Sequence, residues 1–290
     1  LDDRVLEKLG IWTGAPYIKP WEELVYRIKH PRHTVTIGIT GKYVELKESY
    51  KSLNEALVHG GIANHVKVEF RYINAEDLEG QDPAEILQEC DGILVPGGFG
   101  SRGMEGKIKA ITYARENKVP FFGICLGMQL SVVEFSRNIA GLDGAHSTEL
   151  DQETPYPVIY LMKEWLDFRT GKTEIRDENS DMGGTLRLGA YPCRLREGTL
   201  AYTAYRREEI SERHRHRYEF NNLFRDQLEK AGLVVSGTSP DNTLVEIIEL
   251  ADHPWFLGCQ FHPEFKSKPM KPHPLFREFI KAALTRSQKH

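Results

Sequence analysis

The stretch Gly123-Ile124-Cys125-Leu126-Gly127-Met128-Gln129 lies where an apolar run, residues 119–124, meets a helix-forming stretch, residues 126–135. Its G-x-C-x-G pattern is typical of a nucleophile elbow, a sharp strand-to-helix turn that holds its central residue in a strained conformation. The glycines allow the close backbone approach that such a turn requires. The positive end of the following helix favours a thiolate at Cys125. We therefore expect Cys125 to be an exposed nucleophile; a structural cysteine buried in a tight turn is the alternative.

Strand and helix patterns alternate around this elbow. Apolar strands between amphipathic helices are typical of a parallel sheet covered on both faces, so the sequence predicts an α/β fold with a mainly parallel central sheet flanked by helices. The second half of the chain is richer in strand patterns. Residues 151–182 are polar, and we expect them to form an irregular loop insertion. The predicted strands are 34–39, 66–70, 92–95, 119–124, 186–189, 233–236, 244–249 and 256–261. The predicted helices are 49–58, 83–88, 106–116, 126–135 and 275–284.

The first thirty residues differ from the rest. Helical patterns end at Leu9 and cover residues 21–28, and a turn-rich connector separates them. We interpret residues 1–30 as a linker and residues 31–290 as the folded domain; an N-terminal helical cap on that domain is the alternative. The chain begins with Leu1 rather than Met, which suggests a piece of a longer protein.

Composition excludes several classes of function. Lys and Arg number 38 against 42 Asp and Glu, a formal net charge of −4, so no basic excess points to nucleic acid. No apolar run approaches the roughly 18 residues of a membrane span. Four cysteines in 290 residues are too few and too scattered for a disulfide framework, which favours a reducing cytoplasm.

A thiol nucleophile needs a base, and the base needs a group that orients it. The string Phe261-His262-Pro263-Glu264 follows a predicted strand, and residues two apart in an extended segment project to the same side. His262 and Glu264 can therefore touch at a strand end, where α/β sites assemble. Of the eleven histidines, we expect only His262 to have a carboxylate partner in such a setting.

Two further stretches have a functional and a structural interpretation. Residues 96–100, P-G-G-F-G, lack the spacing of a nucleotide-binding loop, and we favour a bend that brings a backbone N–H opposite Cys125 over a simple turn. The stretch Arg213-His214-Arg215-His216-Arg217, with Arg206 and Arg207 before it, forms a basic cluster. Composition favours a solvated face or a patch for an acidic partner or nucleic acid; one arginine that binds a substrate carboxylate is the alternative.

Together these motifs resemble the class I (triad-type) glutamine amidotransferases, and among them the glutaminase domains of the CTP synthase family. The elbow and the H-P-E string are common to the whole class, whereas R-H-R-Y-E and T-G-K-Y-x-E-L are narrower. The stretches that carry the resemblance are 96–100, 123–129, 213–219 and 260–265, supported by 9–12, 40–46, 147–149 and 183–189.

The resemblance implies a class I glutamine amidotransferase fold and a Cys-His-Glu triad. Cys125 would form a glutamyl thioester with glutamine, His262 would move the protons, and Glu264 would orient His262. The N–H groups of Gly98 and Leu126 would form the oxyanion hole. The residues implied to hold the glutamine are Gly98, Leu126, Gly127, Met128, Gln129, Glu149 and Arg217, with Arg217 on the α-carboxylate and Glu149 on the α-ammonium.

The resemblance also implies partners outside this chain. Ammonia would pass to a synthetase domain of the same polypeptide, which aminates UTP to CTP with ATP and Mg, in a homotetramer activated by GTP. Within this chain it implies no cofactor and no metal, and it implies a cytoplasmic enzyme, a glutamine-hydrolysing C–N ligase, with no nucleic-acid or membrane partner.

Three alternatives remain at the level of sequence. The first is another class I glutaminase or a γ-glutamyl hydrolase with the same triad. The second is a non-catalytic regulatory or assembly module with this fold. The third is an anion or nucleic-acid binder that uses residues 206–217, against which the acidic balance argues.

Overall fold

A mixed β-sheet flanked by helices forms the centre of the molecule. The computed structural model describes residues 2–11, 17–42, 47–98, 100–161, 164–167, 172–175 and 187–289. Within them the strands are β1 (His33–Gly41), β2 (Val66–Asn74), β3 (Gly92–Val95), β4 (Phe121–Ile124), β5 (His146–Ser147), β6 (Pro157–Leu161), β7 (Glu164–Asp167), β8 (Lys172–Ile175), β9 (Arg187–Leu195), β10 (Glu209–His216), β11 (Tyr218–Phe220), β12 (Leu233–Thr238), β13 (Val245–Leu250) and β14 (Phe256–Cys259).

The α-helices lie between these strands and at both ends of the described chain. They are α1 (Asp2–Leu9), α2 (Lys19–Lys29), α3 (Lys51–Ala63), α4 (Asp77–Gly80), α5 (Pro83–Leu87), α6 (Met104–Glu116), α7 (Leu126–Asn138), α8 (Leu200–Tyr205), α9 (Arg225–Lys230) and α10 (Pro274–Ser287). Short 3₁₀ turns cover Lys47–Tyr50, Asn222–Phe224 and Pro263–Lys266. No helix of the described residues is both long and apolar enough to cross a membrane.

Nine strands of the described residues form the main sheet, in the order β10-β9-β12-β13-β14-β4-β3-β1-β2. β2, β1, β3, β4 and β14 run parallel to one another, whereas the pairs from β14 through β13, β12 and β9 to β10 are antiparallel. The predicted α/β class is therefore confirmed, and the β-rich second half supplies the antiparallel part. A smaller sheet has the order β11-β6-β5, and β7 pairs with β8.

The two faces of the sheet support separate parts of the core. Phe121 and Phe122 are neighbours on β4 and both are fully buried, but their side chains point to opposite faces because strand side chains alternate. Phe121 belongs to the cluster that includes apolar residues of α6 and α7, whereas Phe122 packs with α3 and α10. Each face is thus covered by helices, as a parallel sheet requires.

Three connections leave the carboxyl ends of adjacent strands at one edge of the sheet. Residues 96–98 follow β3, Cys125 follows β4, and residues 260–262 follow β14. In an open α/β sheet this edge is where ligands bind. The fold therefore brings the three stretches singled out in the sequence to one place.

Two predictions about the flanking regions have different outcomes. Residues 151–182 are not simply irregular, because β6, β7 and β8 lie among them, and Val158 and Ile159 of β6 are fully buried. Residues 162–163, 168–171 and 176–182 of the predicted loop lie outside the described residues. The two N-terminal helices are confirmed, and that residues 1–30 form a linker stays a prediction. α2 leaves Trp21 and Tyr26 more than half exposed.

Candidate active site

Cys125 sits in a strained backbone conformation between β4 and α7. Its φ is 52° and its ψ is −103°, a conformation that costs a residue with a side chain about 1–3 kcal/mol. Its N–H donates to the carbonyl of Cys259 at 2.7 Å, which extends the pairing of β4 with β14 up to the turn. The surrounding structure thus holds the conformation that the G-x-C-x-G pattern predicted.

The two glycines of the elbow are required by close packing. A Cβ on Gly123 would lie 2.7 Å from the backbone of Gly127, and a Cβ on Gly127 would collide with the carbonyl oxygen of Val95. Neither glycine has a positive φ. Of the two roles that glycine can have in an elbow, the structure uses close backbone approach at both positions.

The expectation that Cys125 is exposed is wrong. The residue is only 4% exposed, because the loop after β3 and the segment after β14 cover it from two sides. In the described part of the chain, two cavities meet at Cys125 and Gly98. The thiol is therefore reached from cavities rather than from the open surface.

His262 and Glu264 meet as predicted, but by a different geometry. His262 Nδ1 lies 2.7 Å from Glu264 Oε1, and both side chains are nearly buried. The chain turns into the 3₁₀ turn Pro263–Lys266 directly after His262, so the contact does not come from strand alternation. The N–H of His262 donates to the carbonyl of Arg213 at 2.7 Å, which fixes the segment against β10.

The electrostatics of His262 favour a charged imidazole. Burial alone lowers the pKa of this group. The negative charges of Cys125 and Glu264, together with their hydrogen bonds to the ring, outweigh burial and raise the pKa of His262 to about 10. Near neutral pH the site therefore holds a protonated imidazole between a sulfur and a carboxylate.

The expectation that no other histidine has a carboxylate partner in a comparable setting is wrong. His273 Nε2 lies 3.2 Å from Glu212 Oε1, and His214 Nε2 lies 3.5 Å from Glu246 Oε2. A buried histidine needs polar partners wherever it sits, so the pairing alone does not mark a catalytic group. His262 differs from the other histidines by its hydrogen bond to Cys125.

The glycine-rich loop after β3 lies directly against the reacting groups. A Cβ on Gly97 would lie 2.9 Å from His262 Cε1 and 3.5 Å from Cys125 Cβ, so a side chain there would displace the imidazole. The same construction on Gly98 meets Leu126 Cδ2 at 3.5 Å. Gly98 therefore lies next to Leu126, the other predicted oxyanion donor. Phe99 lies outside the described residues.

The smaller cavity is lined by most of the predicted glutamine-binding residues. Leu126, Gly127 and Met128 do not line it. Met128 is fully buried, and a Cβ on Gly258 would lie 3.1 Å from it, so Met128 packs against the backbone of β14. The residues that line the smaller cavity are Gly98, Cys125, Gln129, Glu149, His216, Arg217 and Tyr218.

Opposite charges face each other in the smaller cavity. Burial raises the pKa of Glu149, while the N–H of Gly100 and the charges of Arg217 and Lys42 act in the opposite direction. A carboxylate and a guanidinium in one cavity match a ligand that carries both an ammonium and a carboxylate group. The cavity therefore has the charge pattern of an amino-acid site.

The basic stretch 213–217 is solvated on one side only. It forms the end of β10 and the residue after it, and its side chains alternate: Arg213 and Arg215 are exposed, whereas His214 and His216 are 2% exposed. The favoured interpretation from composition was therefore wrong for the histidines. Arg217 points into the smaller cavity and Arg215 lines the larger one.

The whole of this site falls within one recognised protein family. The model of that family, described as glutamine amidotransferase class-I, matches residues 45–282. The chain belongs to the class I glutamine amidotransferases. The predicted family and its fold are thus confirmed. Of the stretches that carry the resemblance in this amidotransferase, residues 12, 43–46, 99 and 183–186 lie outside the described residues.

Individual relatives of this amidotransferase are CTP synthases. The CTP synthase of Desulfotalea psychrophila is 68% identical over 284 residues, which are 98% of this chain and 52% of the relative. That of Maridesulfovibrio salexigens is 61% identical over 290 residues, 100% of this chain and 53% of the relative. The chain spans about half the length of the curated relatives it matches. The solved glutaminase domain of Trypanosoma brucei CTPS with bound acivicin is 37% identical, with a TM-score of 0.78 over 87% of this chain and 94% of that one.

Several residues of this amidotransferase site were not predicted from sequence, among them Gln260 and Gly97. Gln260 is fully buried; its Nε2 lies 3.7 Å from Cys125 Sγ and its Oε1 accepts from Gln129 Nε2 at 3.1 Å. Gly97 was missed because a glycine shows no side-chain chemistry in a sequence. The described residues contain no cluster of His, Cys, Asp and Glu that could hold a metal ion.

Proposed function

We propose that this chain hydrolyses L-glutamine to glutamate and ammonia, as the glutaminase part of a CTP synthase. The observation that carries the proposal is the strained Cys125, in contact with His262, at the end of a cavity that contains both Glu149 and Arg217. The names of the relatives agree with it, and the similar Trypanosoma brucei domain binds acivicin, a glutamine analogue.

In this proposal the smaller cavity orients the substrate. Arg217 binds the α-carboxylate with its forked guanidinium, and Glu149 accepts from the α-ammonium. Gln129, also in the cavity, is held in place by its amide, which donates to the carbonyl of Tyr218 at 3.0 Å. The side-chain amide of the substrate then reaches Cys125.

The acylation step uses the charge state of the triad. Cys125 Sγ attacks the amide carbon, and the carbonyl oxygen becomes an oxyanion next to the N–H groups of Gly98 and Leu126. The protonated His262 gives its proton to the amide nitrogen, the C–N bond breaks, and ammonia leaves. A glutamyl thioester on Cys125 remains, with His262 neutral.

The second half of the reaction returns the enzyme to its starting state. Neutral His262 takes a proton from a water molecule, whose oxygen attacks the thioester carbon. The C–S bond breaks, glutamate leaves, and the thiolate again faces a protonated imidazole. Glu264 keeps the ring oriented and stabilises its positive charge in both halves.

The partners of the proposed reaction follow from the length of the relatives. Those CTP synthases are about twice as long as this chain, so we propose that ammonia passes to a synthetase domain of the same polypeptide. There ATP, Mg and UTP would be used to form CTP, with GTP as activator of the glutaminase. A homotetramer and a cytoplasmic location belong to the same proposal.

Labelling with acivicin tests the proposal. We expect one covalent adduct, on Cys125, found by mass spectrometry of the digested protein and prevented by excess L-glutamine. Cys90→Ala is a matched control, because Cys90 is also buried and burial raises its pKa to about 11. Cys125→Ala should abolish labelling and ammonia release, whereas Cys90→Ala should keep both. An adduct on Cys90, Cys193 or Cys259 in the wild type would contradict the proposal.

A further inference from the structure

Arg217 lies at a corner where the chain passes from one sheet to another. β10 ends at His216 and pairs with β9 in the nine-stranded sheet, whereas β11 begins at Tyr218 and pairs with β6 in the small sheet. Arg217 is the one residue between them. The direction of the Arg217 side chain therefore depends on the angle at which the two sheets meet.

A buried arginine spans this corner. Arg187 is the first residue of β9 and lies opposite His216 in the strand register. Its Nη1 donates to Glu219 Oε1 on β11 at 3.0 Å, and its Nη2 donates to Glu246 Oε1 on β13 at 2.6 Å. All three charged side chains are at most 3% exposed. One guanidinium thus connects β9 to Glu219 across the corner and to Glu246 within the main sheet.

Two buried histidines lie beside Arg187 and its two carboxylates. His214 Nδ1 and His216 Nε2 lie 2.9 Å apart. His216 Nδ1 is 3.4 Å from Glu219 Oε1, and His214 Nε2 is 3.5 Å from Glu246 Oε2. Five buried polar side chains therefore lie together, and we call them the corner cluster: Arg187, His214, His216, Glu219 and Glu246.

Stabilisation of the fold alone does not account for a buried ion-pair cluster of this kind. Taking an ion pair out of water costs about as much as the pairing returns, so apolar residues of similar size would stabilise the interior equally well. What a forked guanidinium adds is a fixed geometry between the groups that it joins. In this chain Arg187 lies opposite His216, the residue before Arg217, and binds Glu219, which is two residues after it.

We propose that Arg187 is a positioning residue that, through Glu219 and Glu246, fixes the corner from which Arg217 reaches the substrate. The proposal rests on the proposed function, in which Arg217 binds the α-carboxylate of glutamine. Loss of the corner geometry should weaken that one contact and leave the reacting amide, Cys125 and His262 as they are.

The test compares two substrates that differ only at the α-carboxylate. L-Glutamine carries the carboxylate, and L-glutamine α-amide replaces it with a neutral carboxamide. In Arg187→Met, kcat/KM for L-glutamine should fall by about tenfold or more, mainly through KM, because one charge-assisted contact is weakened. For the α-amide kcat/KM should stay within about twofold, so the preference for glutamine falls. Arg187→Lys keeps the charge but not the fork, and should lower the preference by an intermediate amount.

A matched control separates positioning from stability. Arg115 makes a comparable buried pair with Glu134, at 2.8 Å, near the end of α6 that lies away from the active site. Arg115→Met should lower the thermal midpoint as Arg187→Met does but keep the preference between the two substrates. Equal losses on both substrates in Arg187→Met, or an unchanged preference in both Arg187 variants, would refute the positioning role.

Arg217→Ala shows which hypothesis has failed. It should remove the preference for glutamine over the α-amide almost completely. If it keeps the wild-type preference, the role proposed for Arg217 is wrong, and the inference about Arg187 is refuted with it. If Arg217→Ala loses the preference and the Arg187 variants do not, only the inference about the corner cluster is refuted.

Discussion

Replacement of Glu264 by glutamine removes one negative charge beside His262 and keeps a carbonyl oxygen that can accept from Nδ1–H. His262 Nδ1 and Glu264 Oε1 are 2.7 Å apart, and the Glu264 side chain is 11% exposed. A hydrogen bond to a charged group contributes about 1.5–3 kcal/mol. At about 1.4 kcal/mol per tenfold change in rate, kcat/KM for glutamine should fall about 10- to 150-fold.

The pH dependence of the same variant gives a second measurement. Protonated His262 is the form that donates to the leaving nitrogen; it is present below the pKa of His262, which is about 10, and is lost as the pH rises through that value. Loss of the His262 proton should therefore lower the activity of the wild type as the pH rises through about 10. Glu264 raises the pKa of His262, so in Glu264→Gln the alkaline loss should occur at lower pH.

The assay is ammonia release from L-glutamine between pH 6 and about pH 11, with the thermal midpoint measured at each pH. Glu212→Gln is the matched control, since it removes the charge from another buried histidine–carboxylate pair, that of His273. The control should lose activity at the same alkaline pH as the wild type. If Glu264→Gln also loses activity at that pH and keeps the wild-type rate, Glu264 does not set the charge of His262.

Two further substitutions test the packing around the site. Gly97→Ala places a Cβ 2.9 Å from the His262 ring, so turnover should fall at least about tenfold while the circular dichroism spectrum stays native; a wild-type rate would show that the ring need not occupy its place. Phe122→Ala removes a fully buried ring whose centroid lies 5.3 Å from that of Phe276 and 5.8 Å from that of Phe279, and should cost about 3–5 kcal/mol in urea unfolding; a loss below about 1 kcal/mol would contradict the described packing.

The parallel half of the sheet and the elbow could be predicted because their signals are local. Each strand there is an apolar run next to a helical pattern, and the G-x-C-x-G string lies between one such pair. The meeting of Cys125 with His262 also followed, since the carboxyl ends of parallel strands share one edge. The burial of the Cys125 thiol could not be predicted, because the two loops that cover it are distant from it in sequence.

The antiparallel half was harder where its strands are not apolar runs, as in β10, whose sequence EISERHRH consists mostly of charged residues and histidines. The stretch 213–217 was interpreted by its charge, although R-H-R-H-R alternates with the period of a strand whose histidines face inward. β6, with the sequence PVIYL, follows the polar residues 151–154, and its Val158 and Ile159 are buried between a strand on each side. The closeness of Glu149 and Arg217 could not be derived, because it depends on how these strands are joined.

The position of Cys125 between two cavities has a consequence for the order of events in the proposed reaction. The smaller cavity holds the charged end of the substrate, and the larger one lies on the side of His262 and Phe265. With the glutamyl group anchored on one side of the sulfur, ammonia departs into the other. The first product can then clear the site while the second is still covalently attached, so the two products need not share an exit.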